Sequence, residues 1–350
     1  MQVPSFSNNI GVVVIGRNEG DRLIKSLDAV VDGSRVVVYV DSGSTDGSCE
    51  IASQRGVEVV NLDMSIPFTA ARARNAGFER LRAKHPEVEY VQFIDGDCEV
   101  VEGWIEAAAQ TLNANPDAVA VCGWTCERYP DHSIYNRICS VEWRMMGPIG
   151  RTSSFGGNVM IRADALAAVG GYDASVIAAE DDELSVRLRQ NGGTLLRIDQ
   201  DSVLHDADMH SLSQWWRRAK RCGYAFAQVS HIHGAYPERK FVKEIWRTWI
   251  WGAIAPLGTL ALLPFTHGLS LIVLGRYPLI ALRTIFKTQR QGFSWADSIA
   301  WGFSCAVSVF PQAIGAAKFH RDRLLKKQHE IIEHKLPQAS AMKAIQPTGR

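Results

Sequence analysis

Four short apolar runs, Ile10–Ile15, Arg35–Val40, Val57–Leu62 and Tyr90–Ile94, alternate with segments of helical character, and this alternation restricts the fold more than any other feature. Between the runs, Leu23, Leu27, Val30 and Val31 recur near helical spacing, Ser48–Arg55 suits a second helix, and Thr69–Lys84 is rich in Ala, Arg and Leu. Such a pattern predicts parallel β/α units in an α/β fold, with ligands gathered outside the carboxyl ends of the strands. Carboxylates stand at those ends: Glu19 after the first run, Asp41 after the second, and the triplet Asp95-Gly96-Asp97 after the fourth. In extended geometry Asp95 and Asp97 share a face, and Gly96 lets the backbone turn between them. Two hard oxygen donors suit Mg²⁺ or Mn²⁺ bridging to phosphates, although an Asp-Gly turn in solvent has the same letters.

Composition removes several function classes. With 46% hydrophobic and 21% charged residues, the chain can bury a large core and does not read as disordered. A formal net charge of +1 gives no overall attraction for nucleic acid. The seven cysteines are irregularly spaced, and the closest pair, Cys122 and Cys126, has no second pair or nearby histidine to complete a zinc site. Reduced thiols facing the cytosol are the simplest account. Met1–Ile10 has neither a basic start nor an apolar run, so no signal peptide is expected and catalysis is expected on the cytoplasmic side. No Gly-x-Gly-x-x-Gly or Gly-Lys-Ser/Thr loop follows any of these strands, which weakens dehydrogenase and P-loop readings.

Further along, Trp104–Asn113 reads as a helix, Val119–Trp124 as a strand, and Asp131–Gly150 as mixed, with Tyr135, Trp143, Met145 and Met146 able to cover a sugar or to pack. Gly156-Gly157-Asn158 precedes a strand at Val159–Ile161, and Ala163–Val169 is a short helix closed by Gly170-Gly171. Glu180-Asp181-Asp182-Glu183 opens an amphipathic helix, where four adjacent carboxylates repel one another and call for a positive partner.

Beyond His205 the character changes, with Trp215, Trp216, Trp246, Trp249 and Trp251 set among arginines and lysines. Thr248–Gly275 and Ser298–Ala317 lack Asp, Glu, Lys and Arg, and each reaches the ~20 residues that a bilayer-spanning helix needs. Pro256, Gly258 and Pro264 leave a re-entrant hairpin open for the first stretch, and two buried helices of a soluble core are the remaining alternative. Arg276, Arg283, Lys287 and Arg290 lie between the stretches and Lys318–Lys327 is basic after them, which marks the cytoplasmic side of a membrane. The expected organisation is a catalytic domain over 1–223, a membrane-associated helical region over 224–330 and a polar tail over 331–350.

Taken in order, Asn18-Glu19, Val40-Asp41-Ser42-Gly43-Ser44-Thr45-Asp46-Gly47, Ala73-Arg74-Asn75-Ala76-Gly77, Asp95-Gly96-Asp97 and Glu180-Asp181 resemble the motifs of the family 2 glycosyltransferases, over Ile10 to about Gly223. The resemblance implies a GT-A fold, a Rossmann-like mixed sheet flanked by helices, and inverting transfer of a sugar from a nucleoside diphosphate sugar to a hydroxyl. UDP is the nucleotide it implies first, with GDP second. It puts Glu19 and Asp41 at the nucleoside, Asp95 at the ribose, Asp97 at a divalent cation (Mg²⁺ or Mn²⁺) and Arg74 near the diphosphate. Asp181 matches the general base, with Glu180 beside it. His205 reads either as a metal or phosphate contact or as an ordinary packed histidine. The Gln-x-x-Arg-Trp signature of processive synthases is replaced by Gln214-Trp215-Trp216-Arg217-Arg218. The expectation is therefore addition of one sugar to a lipid-linked or polysaccharide acceptor at the inner membrane. Trp215, Trp216, Arg217 and Arg218 then lie at the membrane surface, in contact with a lipid phosphate or simply as an anchor. A non-catalytic nucleotide-sugar-binding scaffold and a sugar-1-phosphate nucleotidyltransferase are the competing classes.

Overall fold

The computed structural model describes residues 9–145, 147–327 and 331–332. Met146, the residues before Asn9 and the tail beyond Ile332 lie outside it, and so do the readings made on them.

The N-terminal alternation folds as its periodicity predicts. Strands β1 (Ile10–Gly16), β2 (Val36–Asp41), β3 (Glu58–Asn61) and β4 (Tyr90–Asp95) alternate with helices α1 (Asp21–Asp28), α2 (Ser48–Gln54) and α3 (Ala70–Lys84). There follow β5 (Cys98–Val100), α4 (Trp104–Ala114), β6 (Ala118–Glu127), α5 (Ile134–Arg144), β7 (Gly150–Arg151), β8 (Val159–Arg162), α6 (Ala163–Ala168), α7 (Glu180–Gln190) and β9 (Thr194–His205). The sheet order is β3-β2-β1-β4-β8-β6-β9-β5, with β7 paired to β9. β3, β2, β1 and β4 are parallel, whereas β8 runs antiparallel to β4, so the sheet is mixed. Both faces are covered. Val12 and Val14 of β1 pack with α1 and α4, while Val13 and Ile15 pack with α3 and α7, as alternation of side chains along a strand requires.

Helix α3 begins at a Thr69 cap whose hydroxyl accepts the Arg72 N–H at 3.1 Å. Its Gly77 lies flat on the sheet: a Cβ there would stand 2.3 Å from Val13 Cγ1. This close approach draws α3, and Arg74 with it, against the carboxyl edge of β1 and β4.

The C-terminal helices are α8 (Leu212–His233), α9 (Val242–Trp249), α10 (Ala255–Leu262), α11 (Arg276–Arg290), α12 (Trp295–Val307) and α13 (Val309–Leu324). Helix α8 runs unbroken through the boundary expected at residue 223. It is clamped to α13 by two glycines: a Cβ on Gly223 would lie 2.0 Å from the Gln312 carbonyl oxygen, and one on Gly315 would lie 1.9 Å from that of Lys220. Replacing Gly315 with alanine should therefore force the two backbones apart and cost about 1–3 kcal/mol. Thermal melting in detergent checks this, and an unchanged melting temperature would mean that the helix pair yields without cost.

Both uncharged stretches are broken by turns or bends. After a π-helical turn at Ile250–Ile254 and α10, the chain reverses at His267 and Gly268, both with positive φ, into a 3₁₀ segment, Leu269–Gly275. Ser270 Oγ donates to the Thr259 carbonyl at 2.9 Å across this turn, so the stretch folds back on itself. Among the described residues, one unbroken helical segment is long and apolar enough to cross a bilayer, Leu269–Arg290, of mean hydropathy 1.5 and only 17% buried; it includes Arg276 and Arg283, which sequence reading put between spans. The second stretch bends by 40° between α12 and α13. Val309, Pro311, Ala313, Ala316 and Phe319 of α13 are buried within the protein, so this stretch is partly internal packing.

Candidate active site

Loops after β1 and β2, the end of β4 and the start of α7 converge on a cleft of about 430 Å³, within the range of small-molecule sites. Its walls carry Glu19, Arg22, Arg74, Asp95, Asp97, Glu180, Asp181 and His205. The first two loops are tied together locally. Gly20 N–H donates to Asp46 at 2.9 Å and Thr45 N–H to Asn18 Oδ1 at 2.8 Å, with Asn18 itself at φ 55°. Asp46 also caps α2 by accepting from Ser48, as its turn-forming reading implies. Glu19 is held by Arg22 at 3.0 Å, and Arg22 reaches Asp208 at 3.1 Å.

Arg74 is the electrostatic centre of the cleft. Only 2% exposed, it donates to Asp95 Oδ1 at 2.8 Å and to Glu180 Oε1 at 2.7 Å, and lies 3.5 Å from Asp181 Oδ1. A guanidinium out of water needs such partners, because an unpaired buried charge costs several kcal/mol. Two further features hold the group. Asp95 N–H donates to Asn158 Oδ1 at 3.1 Å, and Gly157 leaves room beside it, since a Cβ there would lie 2.3 Å from Arg74 Nη2. The Gly-Gly-Asn triplet before β8 was the available signal for this support.

The four acids that open α7 are answered separately. Glu180 takes Arg74, Asp182 takes Lys240 at 2.6 Å, and the buried Glu183 takes Arg187 at 2.6 Å and His233 at 2.9 Å. Asp181 is the least engaged, and its Oδ1 accepts no hydrogen bond among the described residues. Burial pushes its carboxyl well above the ordinary range, Arg74 opposes this, and Glu180, Asp95 and Asp182 add to it. Ala179, just before the helix, is held at φ 60°, a left-handed conformation uncommon outside glycine, and this turns α7 toward the cleft.

Asp97 and His205 meet because β5 and β9 pair antiparallel, with Cys98 opposite His205. Nε2 of His205 lies 3.4 Å from Asp97 Oδ2, while its Nδ1 is buried without a hydrogen bond. Burial lowers the imidazole's pKa, so the ring is neutral at pH 7 and has a lone pair to offer. Ligand atoms of Asp97, Cys98 and His205 lie within 4.8 Å of one another. Cys98 is the poor member of the set. Its thiol is fully buried, bonded to Asn158 and shifted up by burial, whereas carboxylate and imidazole suit a hard or borderline cation.

A model described as "Glycosyl transferase family 2" matches residues 11–169, a span holding β1, the Asp41 loop, Arg74 and the Asp95-Gly96-Asp97 strand end. Residues 11–169 form a family 2 glycosyltransferase domain. The chain is similar to the glycosyltransferase AglE of Haloferax volcanii, 25% identical over 249 residues that cover 66% of this chain and 68% of that one. Similarity to the succinoglycan biosynthesis protein ExoA of Rhizobium meliloti is also 25% over 251 residues, covering 68% and 72%. Among solved structures, the mannosyltransferase PcManGT of Pyrobaculum calidifontis, in complex with GDP-Man and Mn²⁺, superposes with a TM-score of 0.59 over 91% of this chain and 89% of its own. At 20% identity that likeness carries the GT-A fold.

Within this glycosyltransferase, Glu19, Arg74, Asp95, Asp97, Glu180, Asp181 and His205 come together in one cleft, whereas Asp41 and the Trp215–Arg218 segment lie outside its wall. Asp41 is not in the cleft wall. It is 3% exposed, and its carboxylate is taken up by Tyr39 Oη–H and by the N–H groups of Gly43 and Ser44, so it shapes the loop. Glu180 is committed to Arg74 and buried, which suits a positioning role and leaves the base assignment to Asp181 alone. Two of the four residues of the Trp215–Arg218 segment are turned into the protein. Trp215 is buried and donates to Ser304 Oγ at 3.1 Å, and Arg218 pairs with Glu142 at 2.6 Å, because α8 turns these residues toward α5 and α12; Trp216 alone of the two indoles is exposed.

Proposed function

We propose that this enzyme transfers one sugar from a nucleoside diphosphate donor, with inversion, to a hydroxyl of a lipid-linked or glycan acceptor at the cytoplasmic face of a membrane. The observation that carries this reading is the cleft in which Asp95-Gly96-Asp97 at a strand end faces Asp181 at a helix start, with Arg74 fixed between them. Glu19 and Asp95 would hold the nucleoside. The acceptor oxygen attacks the anomeric carbon as the bond to the diphosphate breaks, and the hydroxyl proton passes to the Asp181 carboxylate. A base held above the ordinary carboxylate range has a raised proton affinity, which favours that transfer. Arg74 orients Asp181 and Asp95 through a shared guanidinium.

Asp97 and His205 would hold a divalent cation, and their donor set, with His205 Nε2 3.4 Å from Asp97 Oδ2, fits one. Such an ion supplies neutralisation of the charge that develops on the departing diphosphate. Membrane association is supported by the 22-residue apolar segment Leu269–Arg290 and by exposed Leu257, Phe265 and Ile272 on the hairpin.

Thermal unfolding of the detergent-solubilised protein with UDP or GDP, with and without Mn²⁺, tests the donor site. A nucleotide at ~100 times its Kd adds about 2.7 kcal/mol of stability. That gain is expected to require the metal and to vanish in Asp97→Ala. No response to either nucleotide in folded protein would remove the donor-site reading.

A further inference from the structure

A second cleft, of about 510 Å³, opens beside the first and shares Ala179, His205 and Arg221 with it. Trp143 of α5, Met209 before α8, Phe226 of α8 and Phe241 at the head of α9 give it an apolar and aromatic lining. Most charges in its walls are internally matched. Glu142 holds Arg218 at 2.6 Å and Asp182 holds Lys240 at 2.6 Å. Arg221 is different. It stands at the junction of the two clefts, in a region crowded with carboxylates, yet makes no hydrogen bond or ion pair with any described residue. A partly enclosed guanidinium with its fork unused is a ready partner for a phosphate, whose oxygens it matches two at a time.

The position of the cleft supplies the second half of the argument. α5 is joined to α12 by Arg137–Asp297 at 3.0 Å, α8 is joined to α12 by Trp215–Ser304, and α9 leads into the exposed apolar hairpin. The second cleft therefore lies between Asp181 and the apolar helical layer. An occupant anchored in that layer would leave its apolar portion against the aromatic lining, meet Arg221 with its polar head and present its acceptor oxygen to Asp181.

We infer that this cleft is the acceptor site and takes a phosphate-bearing amphiphile, with Arg221 recognising the phosphate. The inference rests on the transfer reading above, and its test separates the two. Full-length protein in a maltoside detergent would be titrated with farnesyl phosphate, farnesol and inorganic phosphate, as wild type, Arg221→Gln and Arg221→Lys. UDP and GDP binding with Mn²⁺ would be measured on the same samples. Farnesyl phosphate should bind well, farnesol and inorganic phosphate each at least tenfold more weakly. Arg221→Gln should weaken farnesyl phosphate by roughly ten- to a hundredfold, as loss of a charged hydrogen-bond partner does, with nucleotide affinity unchanged and partial recovery in Arg221→Lys. Equal binding of inorganic phosphate would assign the site to a soluble phosphate and overturn the amphiphile. Weakened nucleotide binding in Arg221→Gln would assign the arginine to the donor diphosphate and overturn the acceptor role. Nucleotide binding without any response to farnesyl phosphate would reject the acceptor inference alone, whereas loss of both would reject the donor reading as well.

Discussion

Asp181→Asn should lower the transfer rate by about 10²–10⁴-fold, the usual contribution of a positioned general base, and leave nucleoside diphosphate affinity unchanged. The carboxamide keeps the shape of the side chain and loses the basic oxygen. Because Asp181 touches Arg74 at 3.5 Å, while Glu180 and Asp95 make the shorter bonds, the guanidinium stays anchored in the variant. Single-turnover transfer and nucleotide titration on one preparation read the two quantities separately. Equal loss of both would make Asp181 part of donor binding. The wild-type pH profile carries the same information. Asp181 must be deprotonated to act, and burial raises its pKa, so activity should rise with pH through that raised value. The acid limb of kcat/KM is then expected above the ordinary aspartate range of about 4, and a limb at or below it would place the working carboxylate in a solvated setting.

Arg74→Ala is expected to be the most destabilising single change at the cleft, at about 3–5 kcal/mol, because it leaves buried carboxylates without their counter-charge. Arg74 is 2% exposed and Glu180 4% exposed, so water cannot replace the lost partner. Gly157→Ala should give a weaker form of the same defect by driving a methyl against Arg74 and Asp95. Chemical unfolding of both variants measures the effect. Glu180→Gln combined with Arg74→Met should recover part of the loss, since both charges are then removed and similar volume is kept. If Arg74→Ala unfolds at the wild-type midpoint, the carboxylates are relieved by protonation and the network contributes little to stability.

Much of the fold was legible in the sequence because it depends on local periodicity. The runs Ile10–Ile15 and Arg35–Val40 form strands where their side-chain alternation and β-branched content indicate. Thr69 caps α3 and the acidic run opens α7, since capping and dipole effects act within one turn. The positions of Glu19, Asp95, Asp97 and Asp181 at strand ends and a helix start follow from the same reading. Asp41 ends its strand as the pattern indicates, and an aspartate followed by Ser-Gly-Ser can also serve its own loop, as it does here.

What tertiary structure decided is every property that depends on which distant segments meet. Asp95 and Glu180 share Arg74 only because β8 brings Asn158 and Gly157 alongside β4. His205 meets Asp97 through the β5–β9 ladder, which no local pattern announces. The Trp/Arg segment looked like a membrane face because composition cannot tell an indole packed on Ser304 from one lying at a lipid surface. Likewise the uncharged stretch at 248–275 has the length of a bilayer crossing, and only the turn at His267–Gly268 makes it a hairpin. Hydrophobic period and turn chemistry are written over a few neighbouring residues. Charge pairing, desolvation and burial arise from contacts between residues far apart in the chain, and those contacts set Asp181, the proposed base, apart from its equally acidic neighbours.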